Sequence, residues 1–354
     1  MSKPIPRIEI DLVKIQENSK LLVDIYKKGG VQIVGVTKAV SGDSFIATAM
    51  LDGGVQYLAD SRIENIKKMK KENILSKFLL LRSVMSQAKQ IVECCDVSLN
   101  SDLKILEKLS YFAKMKKINH NVIIMIELGD LREGVLLEEA VLFVEKLLLL
   151  PNLKLVGLGT NLSCLSGASP DALNMKRLSD LVQSIEDKFS IKIPVVSGGN
   201  SANYNWFVSS DGVGRINQLR VGESILLGTN PVDRSAIEGL HTQAFCLFGE
   251  VIEARVKGSL SSQNISQNAF GEVNLLVDRG LQKRIVVALG RQDVEVQGLI
   301  CEKGLNIVGA SSDHIVIEDC SGGYRTGDEV MFNLSYSGLI SAMSSSYIKK
   351  VYIN

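Results

Sequence analysis

Apolar positions fall into two alternating textures over the first two thirds of the chain. Short apolar runs, the mark of strands buried on both faces, occur at Gln32–Lys38, Val55–Ala59, Phe78–Arg82, Asp96–Asn100, Val122–Leu128, Lys154–Gly159, Pro194–Gly198 and Gln218–Val221. Between them, Leu103–Lys116, Leu136–Leu149 and Pro170–Lys188 repeat apolar residues at three- and four-residue spacing, as amphipathic helices do. Ser169 as cap, Pro170 at the first helical position and Asp171 in the first turn mark the start of the last of these. Eight strand–helix units of about 25–30 residues make a (β/α)8 barrel. An open doubly wound sheet is the other arrangement this pattern admits.

Past residue 235 the helical period is lost. Ala244–Val256, Glu272–Val277, Arg284–Leu289, Asn306–Val308, His314–Glu318 and Glu329–Leu334 are short alternating or β-branched runs, broken by turn formers such as Asp278-Arg279-Gly280 and Ser321-Gly322-Gly323. Gly258–Asn268 is polar and reads as a loop. The pattern predicts an α/β protein, a TIM barrel over 1–235 followed by a C-terminal all-β domain over 236–354.

Composition narrows the function classes. The 354 residues carry 40 Lys+Arg against 39 Asp+Glu, so bulk attraction to nucleic acid or an anionic membrane is not expected. Lys67–Lys71 reads as the solvated face of a helix. No stretch has the length and apolarity of a signal peptide or a membrane span. None of the six cysteines is spaced as CxxC, which predicts reduced, buried thiols in a cytoplasmic protein. The adjacent Cys94 and Cys95 read as core positions on a strand, with a redox pair as the other reading. With three histidines in all, no metal centre is expected.

In a barrel, the chemistry sits at the C-terminal ends of the strands. The first barrel strand ends in Lys38, either as a solvent-facing lysine or as an amine in the barrel mouth. A buried amine loses its proton more easily and can condense with an aldehyde. Glycine-rich turns follow the last two barrel strands, at Val196–Ser201 and Leu219–Glu223. Their backbone N–H groups and a serine hydroxyl suit a phosphate dianion. A strand-one lysine and a two-strand phosphate site together suggest a phosphorylated aldehyde cofactor.

The runs Val36-Thr37-Lys38-Ala39, Ile126–Gly134, Gly157–Ser163, Ser197–Ala202 and Leu219–Gly228 resemble the alanine racemase superfamily of pyridoxal-phosphate enzymes. Ser311–His314 and Asn333–Tyr336 resemble its ornithine racemase branch. The resemblance implies a Schiff-base link to Lys38 and Arg220 against the pyridine nitrogen. It implies Ser201, Gly222 and the following residue, Glu223, at the phosphate, with Asn161 and Asn200 lining the pocket. Arg132 falls near the substrate carboxylate, and Ser311, Ser312 and Asp313 fall in the loop that receives that carboxylate. A head-to-tail homodimer is implied, the β-domain of one copy completing the site of the other.

The sequence departs from the family at several points. Asn161 stands where a histidine lies beneath the cofactor ring, and Met125 replaces a lysine ahead of the arginine. Gly42 replaces a phosphate-binding tyrosine. The tyrosine that serves as second base has no match, the nearest stretch being Asn268-Ala269-Phe270-Gly271. His314 is the candidate for that role, with Tyr336, Tyr347 and a one-base mechanism as alternatives. For Glu127, Asp130 and Glu133 two readings stand: a seat for a distal ammonium, or ion pairing with Arg132. The expected activity is racemisation of ornithine or a related basic amino acid. The rivals are an alanine or broad-specificity racemase, a fold-related decarboxylase and a pyridoxal-phosphate carrier without turnover.

Overall fold

The computed structural model describes residues 5–260, 266–273 and 278–353. Two compact units divide them. One spans Leu12–Thr242, and the other joins the first strand to the chain from Gln243 onward.

In chain order the elements open with β1 (Arg7–Asp11) and α1 (Leu12–Lys27), then β2 (Gln32–Val36), α2 (Ser44–Asp52), β3 (Tyr57–Asp60), α3 (Ile63–Lys71), β4 (Lys77–Leu80), α4 (Ala88–Cys94), β5 (Val97–Asn100) and α5 (Leu103–Lys116). Next come β6 (His120–Ile126), α6 (Leu137–Leu148), β7 (Leu153–Thr160), α7 (Ala172–Phe189), β8 (Val195–Asn200), α8 (Tyr204–Ser209), β9 (Gln218–Val221) and α9 (Glu223–Leu227). Strands β2 to β9 pair in sequence, all parallel, and β2 pairs β9, which closes the barrel. The doubly wound alternative is thereby excluded. Val34, Val36, Ala59, Leu79, Leu99, Ile123 and Met125 form one buried cluster drawn from five neighbouring strands. The period-2 alternation of each strand puts the residues between them against the helices.

Helix starts follow local chemistry. The Asp102 side chain accepts from the Lys104 and Ile105 amides at the start of α5. At α7 the cap is Asp171, not Ser169. Its side chain and that of Asn174 close a capping box, which outcompetes Pro170 as the first helical residue. The lysines at 67, 70 and 71 are exposed on α3, whose buried residues are Ile63, Ile66 and Met69. Cys94 ends α4 and Cys95 caps it, so the pair lies on a helix end rather than a strand. Cys164 and Cys320 are exposed, against the expectation of buried thiols.

The second unit is a sheet of β10 (Phe245–Gly258), β11 (Leu281–Val287), β12 (Leu299–Cys301), β13 (Leu305–Ala310), β14 (Ile315–Asp319), β15 (Glu329–Leu334) and β16 (Lys349–Ile353), with α10 (Tyr336–Ser344) before the last strand. Its path runs β12-β15-β10-β11-β14-β13. The first strand joins it, antiparallel to β10 and parallel to β16. Buried Arg7 ties β1 in place through Glu9 and a two-pronged bond to Glu329. The division at 235/236 therefore differs from the observed one at both ends: β1 belongs with the β unit, and the barrel unit runs on to Thr242. Helix α10 is one helix that the loss of period past 235 did not predict. In the run Glu272–Val277, residues 274–277 lie outside the described residues, as do 261–265 of the expected Gly258–Asn268 loop. Among the described residues, no helix is long and apolar enough to cross a membrane.

Candidate active site

The C-terminal ends of the barrel strands bring together most of the residues singled out in the sequence. After β2 the chain leaves the sheet through Thr37 into a single 3₁₀ turn, Lys38–Val40. Lys38 is exposed, not buried, because it heads this turn rather than ending the strand. Among the described residues its ammonium has no hydrogen-bond or ion-pair partner. Thr37 is fully buried beneath it.

Arg220, on β9, is 4% exposed. Its guanidinium donates to the Ser197 hydroxyl of β8 and, at 2.6 Å, to the Thr160 carbonyl of β7. Among the described residues no carboxylate pairs with it. Burial pushes its pKa down to about 10, and the charge remains at neutral pH.

Beside it, Ser201 Oγ accepts from two backbone amides, Gly222 and Ser224, each at 3.2 Å. Two N–H groups thus converge on one oxygen, as they do in an anion cradle. Gly222 sits where the backbones approach closely: a Cβ there would lie 3.1 Å from both Cβ and O of Val36, so a side chain would press on that strand. The Glu223 carboxylate pairs with Arg234, and burial holds its pKa above the usual range. That pairing turns its side chain to an ion pair and leaves its backbone as the part available to a phosphate.

Asn200 links the pocket's two asparagines. Its Nδ2 donates to Asn161 Oδ1 at 3.1 Å and to the Leu162 carbonyl at 2.8 Å, while its Oδ1 accepts from the Ala202 amide. Asn161 in turn donates to Asp130. Asp130 is buried and accepts from the Cys164 and Leu165 amides at 2.9 and 3.0 Å. Burial alone would raise its pKa. Those amides, Asn161 and Arg132 outweigh burial and hold it low. Asp130 therefore ties the loop after β6 to the loop after β7. Glu127 accepts from the Gly129 and Leu131 amides, and Glu133 grips Arg132 with both carboxylate oxygens. Within this acidic cluster Glu133 and, at 3.8 Å, Asp130 pair with Arg132, whereas Glu127 is taken up by backbone amides.

Ser311, Ser312, Asp313 and His314 lie in the other unit, in the turn between β13 and β14. The Ser311 amide donates to the His314 carbonyl at 2.8 Å, and the His314 amide donates to Ser311 Oγ at 3.1 Å. The His314 ring Nδ1 stands 3.4 Å from the same hydroxyl, and the histidine is exposed. Ser312 Oγ donates to Asp313. Tyr336 opens α10 and Tyr347 is exposed. Arg234 had no signal in the sequence, and Thr160 was quoted only within the run Gly157–Ser163. Ser197 was quoted only as part of a glycine-rich run.

A family model described as the alanine racemase N-terminal domain matches residues 10–231. A lysine racemase of Thermotoga maritima is 37% identical over 350 residues, 98% of each chain. An ornithine racemase of Acetoanaerobium sticklandii is 34% identical, over 98% of this chain and 99% of its own. Among solved structures, an alanine racemase of Clostridium difficile 630 superposes with a TM-score of 0.76 at 18% identity, covering all of this chain and 97% of that one. With well over half its length in the family model and two relatives matched end to end, the chain belongs to the alanine racemase family and is an amino-acid racemase.

Proposed function

We propose that this racemase depends on pyridoxal phosphate and interconverts the enantiomers of ornithine or a related basic amino acid. Enzymes of the alanine racemase family use that cofactor in general. The substrate class rests on the two full-length relatives, named as lysine and ornithine racemases. The residues at the barrel mouth fit the cofactor. Lys38 offers an exposed amine, Ser201 with the Gly222 and Ser224 amides offers an oxygen cradle, and Arg220 offers a donor for a ring nitrogen.

Arg220 is the observation that carries the reading. A buried guanidinium held by two neutral acceptors keeps N–H groups for a further partner, and it does not give up its proton. When bound, the cofactor supplies an electron sink for the pair left by the departing α-proton. Lys38 is assigned the covalent attachment and the proton on one face of the α-carbon. Ser201, Gly222 and Glu223 are assigned the phosphate, the last through its backbone. Asn161 and Asn200 are assigned the pocket wall. Arg132, whose Nε and Nη2 hold Glu133, keeps Nη1 for a substrate carboxylate.

The barrel assignments contain no second general base beside Lys38. We assign that role to His314, and carboxylate contacts to Ser311, Ser312 and Asp313, supplied by a second copy in a head-to-tail homodimer. All six cysteines are free, in keeping with a reducing, cytoplasmic setting.

The test is incubation of the cofactor-loaded enzyme with L-ornithine, L-lysine and L-alanine separately in D₂O. The expected result is deuterium at the α-carbon and growth of the D-enantiomer, faster with the basic pair. Absence of exchange with all three, or a preference for alanine, overturns the proposal.

A further inference from the structure

A buried carboxylate with no role in the assignments above lies behind the turn that presents Lys38. Strands β2 and β3 are neighbours, and Val36 and Ala59 both belong to the buried barrel cluster. Alternation sends the next residue of each, Thr37 and Asp60, to the helix side. Both are fully buried. Thr37 Oγ1 donates to Asp60 Oδ2 at 2.8 Å, and the Thr37 amide donates to the Ala59 carbonyl at 2.9 Å.

The other oxygen of Asp60 is also used. Oδ1 accepts from the Arg62 amide at 2.9 Å and from Asn65 Nδ2, on α3, at 3.0 Å. Among the described residues no lysine or arginine pairs with this carboxylate. Asn65 then meets the far end of the same turn. Gly42 has φ +58, and a Cβ there would stand 2.7 Å from Asn65 Cβ. The Gly42 amide closes the loop by donating to the Thr37 carbonyl at 3.3 Å. Lys38 is thus carried by a turn gripped in front by Asp60 through Thr37 and behind by Asn65. An apolar residue at position 60 would fill the same space, but it would hold neither Thr37 nor Asn65.

We propose that Asp60 is a positioning residue for racemisation: acting through Thr37, it fixes the turn that carries Lys38, so that the amine meets the α-carbon at one place. The inference rests on the role assigned to Lys38 above. Displacements near 1 Å at a reacting group cost about 100-fold in rate. A group that only held the fold together would affect both faces of the substrate alike. A group that aims Lys38 affects the face Lys38 serves.

The test compares cofactor-loaded Thr37→Val, Thr37→Ser, Asp60→Ala and the Thr37→Val/Asp60→Ala double variant. Thr37→Val is isosteric and removes the hydroxyl that donates to Asp60 at 2.8 Å and, more weakly, to the Ala59 carbonyl at 3.3 Å. We expect its kcat to fall by about 10–100-fold, with KM within about twofold and bound cofactor unchanged per chain. Exchange of the α-hydrogen in D₂O should slow more for one enantiomer than for the other. Thr37→Ser restores the hydroxyl and should recover the rate to within a few fold. Asp60→Ala should slow the reaction at least as much as Thr37→Val, since it also releases Asn65 and the Arg62 amide, and the double variant should be no worse than Asp60→Ala, since Thr37 acts through that carboxylate. If Asp60→Ala does not accumulate as folded enzyme, the two threonine variants decide the matter. Wild-type kcat in Thr37→Val, equal slowing for both enantiomers, no rescue by serine, or a loss that only tracks lost cofactor overturns the proposal. Lys38→Ala, measured beside them, separates the two levels. Racemisation by that variant defeats the assignment of Lys38, whereas an inactive Lys38→Ala with an unaffected Thr37→Val defeats the positioning role alone.

Discussion

Arg220 gives its hydrogen bonds to a hydroxyl and a carbonyl, so its charge is held in place without being neutralised. Facing a ring nitrogen, it would donate without protonating, which leaves a weaker electron sink and favours quick reprotonation over transamination. Arg220→Glu reverses this, because a carboxylate stabilises a protonated ring. The expected outcome is a new long-wavelength absorption band during turnover and more transamination per racemisation, read by stopped-flow spectra and keto-acid assay; unchanged partitioning would mean Arg220 faces elsewhere. For Lys38, borohydride reduction and peptide mapping should place the pyridoxyl label on that residue, and a label on any other lysine removes the assignment. For His314, alanine substitution should slow α-hydrogen exchange by about 10²–10⁴-fold for one enantiomer, the opposite one to that slowed by Thr37→Val. Small, symmetric losses would leave His314 as the turn-builder that its bonds to Ser311 already make it. Position after an apolar strand made Lys38 a candidate with a solvent-facing lysine as the other reading, and the resemblance to the racemases supplied its expected role. Asp60 was silent in the sequence and Thr37 was quoted only within the run before Lys38, because a hydrogen bond between neighbouring strands joins residues whose spacing carries no motif.

The barrel strands were legible because a strand buried on both faces is a short, dense apolar run, and parallel strands separated by helices repeat that run at a regular interval. Gln218–Val221 matches its predicted limits, and α5 does likewise. The misplaced start of α7 has a local cause, the reciprocal Asp171–Asn174 bonds. Asp171→Ala should destabilise by about 1 kcal/mol, measured by urea unfolding. Helix α10 escaped notice because its nine residues include Gly338 and three serines, which blur an apolar period. Strand β6 carries a pH liability at its first residue. Burial pushes the His120 imidazole down to about 4 from its ordinary 6.5, and its Nε2 lies 2.8 Å from Ser98 Oγ. The unfolded chain takes up that proton first as pH falls. The stabilisation is therefore full above pH 6.5 and is lost on the way down to pH 4. Between pH 7 and 4.5 this group should cost about 2–3 kcal/mol. His120→Gln should unfold at lower urea at pH 7 but lose less between the two pH values; a parallel loss in both proteins would clear His120.

At the scale of the whole molecule, the sequence showed two textures and placed their change close to the observed boundary at Thr242. It could not show that β1 belongs with the β unit, since five residues carry too little pattern to declare a partner hundreds of positions away. The proposed dimer has a direct test. Lys38→Ala and His314→Ala each disable a different unit of the chain, so mixed, dissociated and reassociated they should regain activity, up to about one quarter of the wild-type sites for random pairing into dimers. No recovery in a mixture shown to contain hybrids would mean that each copy builds its site alone. The parallel pairing of Arg7–Asp11 with Lys349–Ile353 also sets an order on synthesis. The ribosome releases β1 first, yet neither β10 nor β16, its two partners, exists until the whole barrel sequence has emerged. The nascent barrel has every strand it needs to close, while β1 waits as an unpaired edge. The pairing of β1 with β16 thus has to wait until the barrel and strands β10 to β15, which lie between them in the chain, have been made.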